Sequence, residues 1–110
     1  MSRKSLQNLP KDETGTIDET YLLKLYITGM SPISLSSIAN ARRLCEEHLA
    51  GRYSLEVIDL YQQPERLQDA LITALPTLIR ESPPPLRRVV GDLSDTQQVL
   101  MGLDLPRRTK

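Results

Sequence analysis

The 110-residue sequence contains no tryptophan, no phenylalanine, one cysteine and one histidine. The single cysteine, Cys45, cannot form an internal disulfide, which favours a reducing compartment. The single histidine, His48, has no cluster of further ligand-type residues around it, so we expect no metal site there. Because the aromatic residues are limited to four tyrosines, the core must be built mainly from leucine, isoleucine and valine.

Long apolar runs and an excess of either charge are also missing. No segment approaches the roughly 20 apolar residues of a membrane-spanning helix, and the first residues contain no apolar run of signal-peptide length. The 14 basic and 14 acidic residues give a formal net charge of zero, so no overall attraction to nucleic acid or to an anionic membrane is expected. We therefore predict a soluble, cytoplasmic protein that binds neither.

The composition that remains is enough for one small domain. Hydrophobic residues make up 39% of the chain and charged residues 25%, as in an ordinary globular protein. Residues 1–18 mix charged and small polar residues and predict a flexible N-terminal arm. Residues 19–105 carry the periodic apolar positions of a domain, and residues 106–110 form a basic tail.

The first half of this domain predicts a strand, a helix and a second strand. Residues 21–27 form a nearly continuous apolar run, typical of a strand covered on both faces. Ser31 or Ser34 is available to cap an amphipathic helix over 33–49, where apolar residues recur at spacings of three and four. Residues 54–61 predict the second strand, and the short connections make the two strands parallel in a right-handed βαβ unit.

The second half begins at Pro64, which suits the first turn of a short helix. Apolar residues at 67, 70, 71 and 74 give this segment a helical period. The proline at 76 argues for a strand that starts just after it, either at an edge of the sheet or with special backbone geometry.

A rigid proline-rich connector at 82–85 leads to a strand over 86–90. Ser94 and Gln97 match a capping box, with Ser94 as the cap of a final helix. The resulting order, βαβαββα, predicts an α/β protein with a thioredoxin-like fold. Pro76 occupies the place where that fold usually keeps a cis proline.

Five segments together resemble the KaiB family of circadian clock proteins. They are YLLKLYITG at 21–29, GRYSLEVIDL at 51–60, ALPTLI at 74–79, PPPLRRVVGDLSD at 83–95 and MGLDL at 101–105. The resemblance implies a non-enzymatic protein that binds a KaiC-like ATPase and regulates its phosphorylation and ATPase cycle. It also implies the absence of any cofactor.

The resemblance further implies that the C-terminal half has a second possible arrangement, the KaiB ground-state fold, and that the protein forms a homo-oligomer, a dimer or a tetramer, in one of its states. The candidate residues for this fold switch are Pro76, Pro84, Pro85, Gly102 and Asp104.

Several residues depart from the pattern of the clock proteins. Glu56 stands where they tend to have lysine, and Ser36 replaces a usual arginine. Ala70 and Leu71 replace an acidic residue and a lysine. An alternative therefore stays open, in which the scaffold serves a stress response or a chaperone-like role with a different partner.

Redox catalysis is the enzymatic alternative for a thioredoxin-like domain. It normally needs Cys-x-x-Cys at the start of the first helix, where the helix dipole stabilises a thiolate. The corresponding residues, 29–34, contain no cysteine, and Cys45 lies on the apolar stripe near the other end of the helix. We therefore expect Cys45 to be a buried structural residue, and we assign no catalytic residues.

The candidate partner-binding residues fall into two groups. Arg80, Arg87 and Arg88 belong to a basic region that would pair with carboxylates on a partner. Ser54 and Glu56 lie on the second strand, which we expect at an edge of the sheet, where it can accept a partner strand.

Overall fold

A computed structural model describes residues 20–69 and 72–106. The predicted N-terminal arm and residues 107–110 of the basic tail lie outside the described residues. The described part forms one four-stranded sheet with two α-helices and a short 3-10 helix. The strands are β1 (Tyr21–Ile27), β2 (Tyr53–Asp59), β3 (Thr77–Ser82) and β4 (Arg87–Val90), and the helices are α1 (Pro32–His48) and α2 (Thr96–Gly102).

The sheet has the strand order β2-β1-β3-β4. β1 and β2 are parallel and are connected through α1, which confirms the predicted βαβ unit. β3 runs antiparallel to β1, and β4 runs antiparallel to β3. The two edges of the sheet are thus β2 and β4, and β3 is a central strand.

The main core lies between the sheet and the two α-helices. Alternate residues of β1, namely Leu23, Leu25 and Ile27, point into it and are at most 1% exposed. Leu44, Cys45 and Leu49 enter from the α1 side, and Val99, Leu100 and Leu103 enter from the α2 side. A smaller cluster on the opposite face of the sheet contains Tyr26, Ile58, Leu60 and Ile79, with Ile72 and Leu75 packed against it.

The short helix predicted after Pro64 is present in part. The structure has a 3-10 helix at Pro64–Asp69, residues 72–76 are irregular, and Ala70 and Leu71 lie outside the described residues. Leu67, which the helical period placed on an apolar face, is 50% exposed. The small cluster takes its side chains from Ile72 and Leu75 instead, so the apolar period was too short to identify the buried face.

The start of β3 agrees with its prediction in part. β3 begins directly after Pro76, as expected, but it is a central strand and not an edge strand. The Leu75–Pro76 peptide bond is cis, as the position of this proline in the fold suggested. Because Pro76 and Gly91 lie just outside β3 and β4, the missing N–H of Pro76 removes no bond within either strand, and the carbonyl of Pro76 accepts from Gly91 N–H at 3.0 Å.

The cap of α2 is one residue later than the capping box predicted. The side chain of Asp95, not Ser94, accepts a hydrogen bond from Gln98 N–H at 3.1 Å. Ser94 N–H is instead bound by the carboxylate of Asp92 at 3.0 Å, which keeps Ser94 in the preceding turn. At α1 the predicted cap is confirmed, since Ser31 accepts from Ser34 N–H.

Candidate partner-binding surfaces

β2 is the first candidate surface, because it is an edge strand, as predicted. Ser54 and Glu56 are both exposed, and they lie on the same face of β2 because they are two residues apart. Glu56 forms an ion pair with Arg66 of the 3-10 helix at 3.0 Å. The structure therefore brings these two predicted residues together on one accessible edge.

A side-chain hydrogen bond connects the exposed side of α1 to β2. Tyr53 Oη donates to a carboxylate oxygen of Glu46, and both residues are at the surface. The hydrogen bond to Glu46 raises the pKa of Tyr53 to about 12, because the phenol proton is held by the carboxylate. A partner at the β2 edge would also meet the polar side chains near Glu46.

The arginines predicted as one basic region are divided by the fold. Arg87 and Arg88 are exposed on β4, where successive side chains lie on opposite faces of the sheet. Arg80 is only 4% exposed. Arg80 is therefore not available to a partner in this fold, and we leave it out of the partner-binding surface.

Arg80 instead connects two parts of the main chain. Its guanidinium donates from Nη2 to the carbonyl of Pro85 at 2.9 Å and from Nη1 to the carbonyl of Asp104 at 3.3 Å. Its Nε atom is buried without a hydrogen-bond partner. The sequence analysis missed this role, because no local sequence pattern indicates that the side chain of an arginine in a strand points toward the helices.

The other residues predicted for the fold switch lie near the two carbonyls that Arg80 binds, in the proline connector and at the end of α2. The Pro84–Pro85 bond is cis, and so is the Ser82–Pro83 bond. A Cβ on Gly102 would approach Val89 Cγ2 to 2.5 Å, so α2 packs closely on β4 there.

Asp104 ends α2 in the left-handed conformation, with φ of 53°. Asp104 N–H bonds to the carbonyl of Met101, and Leu105 N–H bonds to that of Leu100, which is the pattern of a Schellman motif. Glycine is the usual residue at this position, because an L side chain is strained there.

Cys45 is buried, as predicted, with no exposed surface. Burial raises the pKa of its thiol to about 12, and the nearby Glu46 carboxylate adds to this effect. At neutral pH the thiolate that disulfide exchange requires is therefore not formed. His48 lies at the C-terminal end of α1, where its side chain is 14% exposed and 3.8 Å from a Glu47 carboxylate oxygen.

Asp59 is a structural residue at the candidate surface that the sequence did not single out. One oxygen of its buried carboxylate accepts from both Gly29 N–H and Tyr61 N–H at 2.9 Å. It thereby joins the loops that follow β1 and β2. The Tyr61 side chain, 76% exposed, lies against Gly29, where an added Cβ would approach its ring to 3.0 Å.

Neither a metal-binding group of side chains nor a membrane-spanning helix is found among the described residues. No group of three or more histidine, cysteine, aspartate or glutamate side chains within residues 20–69 and 72–106 is placed to hold a metal ion. In the same part of the chain, no helix is long and apolar enough to cross a membrane.

The sheet order, the position of α1 and the proline before β3 define a thioredoxin-like α/β domain whose first helix begins without a cysteine. Solved structures with this fold include the N-terminal domain of SasA from Synechococcus elongatus, with a TM-score of 0.67, 23% identity and 94% of both chains covered. Mitochondrial thioredoxin 3 from Saccharomyces cerevisiae has a TM-score of 0.61, 13% identity and 78% of both chains covered. At these identities the likeness concerns the fold alone.

Sequence comparison then identifies the family. The family model described as the KaiB domain matches residues 24–105. The circadian clock protein KaiB3 of Synechocystis sp. is 49% identical over 84 residues, which are 76% of this chain and 82% of that protein. The circadian clock oscillator protein KaiB of Prochlorococcus marinus is 46% identical over 87 residues, 79% of this chain and 83% of that protein. The chain belongs to the KaiB family.

Proposed function

We propose that this protein is a non-enzymatic KaiB-type clock protein that binds a KaiC-like ATPase and regulates its phosphorylation and ATPase cycle. The observation that carries the proposal is the match of the KaiB domain from residue 24 to residue 105. The similar curated proteins KaiB3 and KaiB carry circadian clock names, and the match covers most of their length.

The residues of the described domain favour binding over catalysis. The only thiol is buried and carries a raised pKa, and the start of α1, where thioredoxins place their reactive pair, is Ser31-Pro32-Ile33-Ser34. Among the described strands, β2 pairs with β1 alone, and Ser54 and Glu56 are exposed on it. We assign these two residues to the ATPase contact, and Arg87 and Arg88 to a separate surface on β4.

Capture by a KaiC-type ATPase from the same organism tests the proposal. The full chain is immobilised and offered the ATPase with ATP, with ADP and without nucleotide. We expect capture that depends on the nucleotide, and we expect Glu56→Ala to weaken it at least about fivefold, since the change removes a charged side chain from the contact. Glu65→Ala, an equal change on the exposed 3-10 helix, is the matched control and should bind like the wild type. Absence of capture in every nucleotide state would refute the assignment.

The fold switch and the homo-oligomer are further proposals carried by family membership. We assign the switch to Pro76, Pro84, Pro85, Gly102 and Asp104, which lie at the start of β3, in the connector and at the end of α2. Size-exclusion chromatography combined with amide NMR is expected to separate an oligomer from a monomer with distinct spectra in the C-terminal half. A single species with one set of resonances at all concentrations would contradict this.

A further inference from the structure

Leu93, in the turn between β4 and α2, has a backbone conformation that leucine rarely adopts. Its φ is 68°, in the left-handed region, where the Cβ of an L residue is crowded by the following carbonyl oxygen and where a bulky side chain is an outlier. Gly91, two residues earlier, also has a positive φ, which glycine tolerates. The backbone strain of this turn is therefore concentrated at Leu93.

Burial of its side chain holds Leu93 in this conformation. Leu93 is 4% exposed and belongs to the main core, together with Val99, Leu100, Leu103 and Leu105. These five residues lie in one segment, 92–105, which we call the α2 strap. The apolar contacts that hold the α2 strap in place therefore also sustain the strain, since a strained backbone persists only where its surroundings fix it.

The backbone of the α2 strap is not part of the sheet. Residues 92–105 belong to none of the described strands. The hydrogen bond from Leu105 N–H to the carbonyl of Leu100, like the other backbone bonds at the end of α2, lies within the α2 strap itself. α2 has only seven residues, and a helix this short is not stable alone in water. We therefore expect the whole α2 strap to unfold together once its core contacts are lost.

A side-chain hydrogen bond ties each end of the α2 strap to the rest of the domain. At its start, Asn40 of α1 donates from Nδ2 to the carbonyl of Asp92 at 2.8 Å. At its end, Arg80 of β3 donates to the carbonyl of Asp104 at 3.3 Å. Because neither donor belongs to the α2 strap, both bonds break when it opens, and both oppose opening.

We propose that the α2 strap is a conformational device that opens as one unit while β1, α1 and β2 stay folded. The left-handed backbone of Leu93 favours opening, because the residue relaxes when its side chain leaves the core. Opening uncovers the side of β4 on which α2 packs. The β2 edge is on the other side of the sheet, so the C-terminal half can begin to rearrange without a change at the proposed ATPase contact.

Amide hydrogen exchange of the full chain, measured by NMR, tests the opening. The reporters are the N–H groups of Val99, Leu103 and Leu105, which are hydrogen-bonded within the α2 strap. The reference is the N–H of Leu25 in β1, a strand that is paired on both sides. After correction for intrinsic rates, we expect the three reporters to exchange equally fast and at least about a hundredfold faster than Leu25.

Paired substitutions at Leu93 measure the strain apart from the loss of core contacts. Leu93→Gly and Leu93→Ala both remove most of the buried side chain, but only alanine keeps a Cβ in the left-handed conformation. We therefore expect the reporters to exchange at least about threefold more slowly in Leu93→Gly than in Leu93→Ala. Leu100, buried within α2, is the matched control. There the glycine variant should exchange faster than the alanine variant, because glycine destabilises a helix.

Two further variants identify which contacts the opening breaks. Asn40→Ala removes the bond to Asp92 and should accelerate the reporters at least about fivefold, because that bond is lost on opening. Ile58→Val shortens a side chain in the small cluster on the other face of the sheet, which stays intact when the α2 strap opens. It should accelerate exchange at Leu25 about threefold and leave the reporters as in the wild type.

Three outcomes would overturn the proposal. They are reporters that exchange no faster than Leu25, reporters that exchange as fast in Leu93→Gly as in Leu93→Ala, and reporters that Ile58→Val accelerates as much as Leu25. All three are measured on the free protein without the ATPase. The failure of this proposal is therefore distinguishable from the failure of the proposed function.

Discussion

Arg80 shows how one side chain can hold two distant parts of this small domain together. Its guanidinium binds the carbonyls of Pro85, in the proline connector, and of Asp104, after α2. No carboxylate among the described residues forms an ion pair with it. The bonds from Arg80 therefore position the connector and the end of α2 relative to β3. This role is structural and does not involve a partner.

Replacement of Arg80 by alanine is expected to lower the free energy of unfolding by about 2–4 kcal/mol. The change removes two hydrogen bonds from a charged donor and leaves a cavity in a buried site. Arg87, its register partner on β4, is exposed, so Arg87→Ala should stay within about 0.5 kcal/mol of the wild type. Urea unfolding of both variants measures the difference. Equal stabilities would contradict the assigned role of Arg80.

Cys45 is expected to make stability fall as the pH rises above about 9. Its folded pKa, about 12, lies above its ordinary value of 9.0. The stabilisation is therefore complete below pH 9 and is lost toward pH 12, because only the unfolded chain releases the proton in that window. Urea unfolding at pH 7, 9 and 10.5, with Cys45→Ala as the reference, isolates this group from the tyrosines and lysines. Parallel pH profiles of the two proteins would count against it.

The start of α2 illustrates how a small difference in the local chain changes which residue caps a helix. Ser94 and Asp95 are adjacent, and both are residue types that cap helices well. Only Asp95 binds an N–H of the first turn, since Asp92 already binds Ser94 N–H. We therefore expect substitutions of these two neighbouring polar residues to have different effects on stability.

Asp95→Ala is expected to destabilise the protein by about 1 kcal/mol, within the range of about 0.5–2 kcal/mol for lost caps. Ser94→Ala should change stability by less than about 0.5 kcal/mol, as exposed substitutions usually do. Thermal unfolding of the two variants beside the wild type gives both numbers. If Ser94→Ala were the more destabilising change, the capping box expected from the sequence would be right and the observed cap wrong.

At the scale of elements, the sequence predicted most of the fold, because long apolar patterns have few alternatives. β1, α1 and β2 were located to within about two residues, and their parallel pairing followed from the short connections. The segment after Pro64 was predicted in part. A 3-10 helix begins there, but Ala74, the last position of the apolar period, lies in irregular chain, because so few apolar positions do not define how far a helix extends. Which face of β3 carries Arg80 depends on the register of the whole sheet, and no local pattern contains that information.

At the scale of the molecule, the sheet order places the two open strands as far apart as four strands allow. β2 and β4 are separated by β1 and β3, which corresponds to about 14 Å at the usual strand spacing. The β2 edge carries Ser54 and Glu56, whereas the β4 edge carries Arg87 and Arg88. The two edges thus differ in charge and share no side chain.

This separation predicts that a substitution at the β4 edge leaves binding at the β2 edge unchanged. Glu56→Ala, Arg88→Glu and the double variant are each tested for capture of the KaiC-type ATPase. Glu56→Ala should weaken capture, and Arg88→Glu should leave it unchanged. The double variant should match Glu56→Ala to within about 0.5 kcal/mol, since the effects of distant sites without shared contacts are additive. A larger difference would mean that the edges communicate through β1 and β3, or that the ATPase contacts both edges.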